Sequence, residues 1–158
     1  MKTKPIPALF NFNAPDLTRC PPRSPRTRLG GFAHLPRLID KARAHVAGTV
    51  GEYHYDCGMD QHFWAFSGIK AKDFIKPVRA GRSDSELLAY VLKRMKPKRT
   101  QAEIVAWSAW FENRAPGAVE GREFFDGVVA KIGPEREDIS TWFEMLELDD
   151  FVSFGGRP

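Results

Sequence analysis

The densest set of reactive side chains in the chain is Tyr53-His54-Tyr55-Asp56-Cys57-Gly58-Met59-Asp60-Gln61-His62, with two imidazoles, one thiol and two carboxylates in ten residues. His54, Cys57 and His62 supply N/S donors, and Asp56 or Asp60 could be a fourth ligand in a tetrahedral or open zinc site. Their H-x2-C-x4-H spacing lacks the paired C-x2-C or H-x3-H clips of structural zinc modules, and H-E-x-x-H is absent. No metal is therefore expected; if one binds, His54, Cys57 and His62 are its ligands. Cys57 could instead be a nucleophile activated by His54 or His62, but Asp56 and Asp60 disfavour a nearby thiolate. G-x-S-x-G, P-loop and G-x-G-x-x-G patterns are missing. The plainer reading is a loop packed on aromatic neighbours, with Cys57 as a small core residue. No cofactor is expected.

A second chemical feature is charge. Residues 1–100 carry 19 Lys/Arg against 8 Asp/Glu, net +11, whereas residues 101–158 carry 5 against 12, net −7. Three readings follow, in this order: acidic C-terminal helices lying over basic N-terminal ones, self-association by the same complementarity, and attraction to an anionic partner. Arg23, Arg26, Arg28, Arg37 and Lys41 form the candidate basic surface, flanked by Arg19 and Arg43, and could meet phosphates. Lys93, Lys96, Lys98 and Arg99 read more simply as a helix end and its loop, where cations suit the dipole. Asp149-Asp150 alone makes no acid–base site.

The elements that must position these groups are helical. A length of 158 residues suits one domain with its own core. Residues 1–24, rich in proline, read as an extended arm packed on a single helical domain over 25–158. Ser24-Pro25 is a helix-start signal. Phe32, Leu35, Leu38, Ile39, Ala42 and Val46 then form one helical face ended by Gly48. Pro36 is expected to kink or divide that helix, and Arg37, Asp40, Lys41 and Arg43 are expected to face water. Asp60–Ser67 and Lys72–Val78 are short helices, the second disturbed by Pro77.

Capping boxes at Ser83/Glu86 and Thr100/Glu103 open two further helices. Gly121–Ile132 follows, with Phe124, Phe125, Val128, Val129 and Ile132 expected inward. The last helix spans about Ser140–Leu148, with Trp142, Phe143 and Leu146 buried, before an irregular tail. The fold class is all-α: a compact single-domain array of six or seven short helices with a proline-rich N-terminal arm. Trp110 lies off the Ile104–Trp107–Phe111 line and is the candidate interface residue.

Several strings occur together in a recognisable order: Arg23-Ser-Pro-Arg26, Leu29-Gly-Gly31, Ile39-Asp-Lys-Ala-Arg43, Gly51-Glu-Tyr53, Asp60 with Phe63-Trp-Ala-Phe66, and Leu148-Asp-Asp…Phe154-Gly-Gly. Over about residues 15–156 they make the chain similar to a bacterial domain-of-unknown-function family, number five-zero-six-nine. The resemblance implies a small, mostly helical bacterial protein, and brings no activity, ligand or catalytic residue with it.

No apolar run approaches the roughly 20 residues of a membrane span. Two cysteines in a chain with an adequate core point to reduced thiols in the cytoplasm rather than a disulfide scaffold. The functional expectation is a non-enzymatic binding or assembly module, forming a homo-oligomer or docking on a protein partner. Behind it stand a metal- or thiol-dependent enzyme centred on residues 53–62, and then nucleic-acid binding through the basic N-terminal region.

Overall fold

The computed structural model describes residues 13–158, and the first twelve residues of the expected arm lie outside that range. Among the described residues there are seven helices and one hairpin of two-residue strands. The hairpin is the first departure from expectation, because the segment after Ser24-Pro25 is not helical. Strands β1 (Arg28–Leu29) and β2 (Phe32–Ala33) pair antiparallel, with Arg28 opposite Ala33 and Leu29 opposite Phe32. Gly30 and Gly31 turn the corner with φ of 58° and 85°, a geometry nearly closed to side-chain-bearing residues. A side chain at Gly30 would also strike Leu88.

Helix α1 therefore starts later, at Leu35, and runs to Ala47. Pro36 falls in its first turn, where a missing N–H costs nothing, so the helix is neither kinked nor divided there. Gly48 closes it in the left-handed conformation with φ 74°. Leu35, Leu38, Ile39 and Ala42 enter the main core with Phe32, Phe63, Phe74, Leu87 and Val91. The opposite face does not reach water: Arg37, Asp40, Lys41 and Arg43 are all buried. Helix α1 is the central element, enclosed on every side from Leu35 to Ala44.

Helix α2 (Gly58–Ser67) sends Phe63 and Trp64 into the core and ends at Gly68, φ 69°, where the chain passes against the Lys96 backbone. Helix α3 (Ala71–Arg79) contains Pro77, which cannot donate to the Asp73 carbonyl; the Tyr90 hydroxyl donates to that oxygen instead, at 3.3 Å. Helices α4 (Asp84–Arg94) and α5 (Gln101–Glu112) begin at the two expected capping boxes. A third box, Thr141/Glu144, opens α7 (Trp142–Ser153), which continues past Leu148 into the segment expected to be irregular.

Phe143, Met145 and Leu148 are the buried residues of α7's apolar side, while Trp142 and Leu146 are only half-buried. Helix α6 (Val119–Ile132) departs further from expectation: Phe125 is its single fully buried residue, and Phe124 is 61% exposed. Among the described residues, no helix is long and apolar enough to cross a membrane.

Candidate functional site

Asp60 is the hub of the polar cluster. As the third residue of α2 it accepts the backbone N–H groups of Asp56 (3.0 Å) and Cys57 (3.3 Å), tying down the turn that precedes its own helix. Cys57 is the N-cap, so Cys57/Asp60 acts as a capping box with sulfur in place of a hydroxyl. The same carboxylate receives the Lys41 ammonium on both oxygens at 2.8 Å and His34 Nε2 at 2.8 Å. Lys41 also donates to the His54 carbonyl (3.1 Å) and to Cys57 Sγ (3.2 Å). Burial works to raise the Asp60 pKa, but the His34 hydrogen bond and the Lys41 charge outweigh it and hold the group well below the usual carboxylate range.

His34 reaches the cluster from the residue before α1, where φ is 70°. Its ring packs against Phe111 and Phe143. Burial pushes its pKa down to about 4 against the pull of Asp60, so the imidazole is neutral at pH 7. Its Nδ1 is buried without a hydrogen-bond partner. That suits an Nε2–H tautomer donating to Asp60 and leaving a bare lone pair among rings, since a proton on Nδ1 would be an orphan donor.

The other members of the expected cluster are dispersed. Asp56 Oδ1 accepts from Trp64 Nε1 (2.9 Å) and Gln61 Nε2 (2.6 Å), so it braces the loop. His62 packs on Phe111 and beside Trp110, and burial, helped by the Arg114 charge, lowers its pKa. His54, Cys57 and His62 open on one groove of about 740 Å³, within the size range of ligand sites. Its apolar lining comes from Met59 and from α6 and α7, including Phe124, Val128, Trp142 and Met145, with Arg114 and Lys131 as cations. Among the described residues, no three His, Cys, Asp or Glu side chains come together as a metal-binding group.

The candidate basic surface is paired within the chain, and its Arg37 and Lys41 are buried while Arg28 is exposed. Arg37 forms a fork with Asp150 (2.7 and 3.1 Å), and Lys41 is committed to Asp60; both are buried. Arg23 grips Asp40 (2.9 and 3.0 Å) and reaches Asp84 (2.7 Å), which Arg43 shares at 2.8 Å. Arg26 pairs with Glu147 (3.0 Å), and Arg28 with Glu112 (2.9 Å). Acids of the rear third thus lie over cations of the front, the first of the three readings of the charge split. Asp150 of the Asp149-Asp150 pair is consumed by Arg37 and by the Tyr53 hydroxyl at 2.7 Å. Trp110, 52% exposed, lies at the surface as expected.

These buried pairs tie the segment from Arg23 to Asp150 into one unit, and a family model matches nearly the same stretch, residues 19–152. The chain belongs to the family Domain of unknown function (DUF5069). A search of the curated proteins finds no match. Membership in DUF5069 leaves activity open.

Reasoning from sequence missed His34 altogether and assigned Lys41 to the surface. One local signal was present for Asp60: an acid three residues after Cys57, at the start of an apolar helix, has the spacing of a capping box. Nothing local marked His34 or Lys41, because their partner lies 26 and 19 residues away.

Proposed function

We propose that this protein is a non-enzymatic assembly module that pairs with a second copy of itself through the groove between the α2 entrance and the α6–α7 pair. The supporting observation is helix α6, whose Phe124, Phe125, Val128, Val129 and Ile132 form one apolar stripe of which only Phe125 is fully buried. Phe124 stands exposed at the groove it helps to line, against the Trp142 ring at 6.4 Å. A protruding phenyl beside its own apolar groove is self-complementary: in a two-fold pair each Phe124 enters the partner's groove. Removing a phenylalanine from water contributes about 1.5–3 kcal/mol per side chain.

The contact at this groove is mainly apolar and does not use the charge split. Pairing should therefore persist at high salt. Cys20 and Cys57 as free thiols suit a reducing, cytoplasmic setting. The test is size-exclusion chromatography with light scattering on wild type and Phe124→Glu at low and high salt. Wild type should run at twice the chain mass in both buffers, and the variant at the monomer mass with an unchanged circular dichroism spectrum. A wild-type monomer at every ionic strength and concentration overturns the reading.

A second reading, thiol-dependent catalysis, is favoured by one contact. Cys57 caps a helix N-terminus, faces the Lys41 ammonium at 3.2 Å and lines the groove, which are surroundings in which nucleophilic cysteines are found. Iodoacetamide labelling followed by peptide mass mapping separates the two readings: a Cys57 that labels no faster than a free cysteine model leaves only assembly.

A further inference from the structure

A set of cations on helices α3 and α4 escapes the internal pairing. Segment 70–98 holds nine Lys/Arg and three Asp/Glu, and all three acids are committed. Asp73 pairs with Lys76, Glu86 with Arg82, and Asp84 with Arg23 and Arg43. Lys70, Lys72, Arg79, Lys93, Arg94 and Lys96 are exposed and form no ion pair among the described residues. Two grooves, of about 510 and 490 Å³, meet on this face. Lys70, Lys76, Arg94 and Lys96 line the first, Lys76, Arg82 and Lys93 the second, and Tyr90 belongs to both.

Local structure does not account for these charges. Lys93 and Arg94 suit the last turn of α4, but Lys70 is the N-cap of α3 and Lys72 lies in its first turn, where a cation opposes the helix dipole. The residue types also differ from those inside the protein. Guanidinium forks grip the buried Asp40 and Asp150, whereas the exposed set is mostly lysine, a point charge suited to phosphate. Leu92 is the one exposed large apolar side chain on either helix, so the face offers little to insert into a bilayer. Tyr90 carries the Arg94 guanidinium over its ring at 5.7 Å, an aromatic and planar-cation pair of the kind on which bases stack.

We infer that the joined α3–α4 grooves bind a single strand of nucleic acid, with phosphates on Lys70, Lys93, Arg94 and Lys96 and a base on the Tyr90–Arg94 pair. This site lies apart from the α6–α7 groove, and its test is independent of self-association. The experiment is fluorescence anisotropy of the full chain with fluorescein-labelled oligouridylate and oligothymidylate 12-mers across about 50–200 mM salt. Four phosphate contacts give a log–log slope near −2.8, so affinity should fall about 50-fold over that range. In the Lys70→Gln/Lys96→Gln double variant the slope should halve and the fall shrink to about 7-fold. Tyr90→Leu should weaken binding several-fold at unchanged slope, while Lys131→Gln, on the other groove, should bind as wild type does. Absence of binding at low salt overturns the proposal, as does a double variant with the wild-type slope. Equal affinity for a duplex of the same charge, or capture by phosphatidylserine vesicles that the 12-mers do not compete away, overturns it in favour of another polyanion.

Discussion

Replacing Asp60 with alanine strips the buried Lys41 ammonium of the one carboxylate it pairs with among the described residues, and His34 and two backbone N–H groups of the same acceptor. Breaking a buried ion pair from one side costs about 3–5 kcal/mol, chiefly because the remaining charge is left without compensation. For a chain of this length each kcal/mol moves the melting temperature by about 2–4 °C, so Asp60→Ala should melt roughly 6–20 °C below wild type. Differential scanning calorimetry gives that shift, and urea denaturation gives the free energy. The double variant Asp60→Leu/Lys41→Met removes both charges and should regain most of the loss. About 1–3 kcal/mol should stay missing, because the His34 N–H and the backbone N–H groups of Asp56 and Cys57 still lack their acceptor. A loss below about 1 kcal/mol for Asp60→Ala would refute the account, as would a double variant no more stable than the sum of its single changes predicts.

Other consequences follow from the same geometry. His34, held near pKa 4 in the fold and at its ordinary 6.5 in the unfolded chain, takes its proton first when unfolded. Stability should therefore be complete above pH 6.5 and decline as the pH falls toward 4, by about 3 kcal/mol in all. Urea midpoints should trace that decline in wild type and a flatter one in His34→Asn, asparagine being tolerant of the left-handed backbone. The depressed Asp60 carboxylate adds a further loss at lower pH still, as it protonates. Asp150→Ala, which orphans the buried Arg37, should cost about 3–5 kcal/mol by denaturation. Gly68→Ala should destabilise by more than about 1 kcal/mol, since its φ of 69° is unfavourable for alanine and a Cβ there would strike the Lys96 carbonyl oxygen. Thr141→Ala, which loses the cap on α7, should cost about 1 kcal/mol with the fold intact.

Helices α4 and α5 were legible because their starts are written locally: hydroxyl, then carboxylate three residues on, then an apolar stripe. Helix α1 was misread on its polar side, since residue type alone assigns Arg37, Asp40, Lys41 and Arg43 to water. Their burial depends on Asp150, Arg23, Asp60 and Asp84, which are distant in sequence, and no periodicity reports such pairings. The Gly30-Gly31 pair, with two positive φ angles in a row, makes a hairpin corner that helical periodicity does not report. Phe124 sits where helical spacing points inward, but among the described residues it is left 61% exposed. Of the candidate site, the Asp60 and Cys57 positions were visible as chemistry; the partners that give them meaning were not.

A central helix whose charges are answered from residues 23, 60, 84 and 150 has a consequence for how the protein comes apart. No segment that carries Arg23, Asp60, Asp84 or Asp150 can peel away without stranding an ion of the central helix, so versions lacking one of them are penalised. Fragments stopping short of Asp150 should stay as coil, and heat or urea should undo the whole in a single concerted step rather than helix by helix.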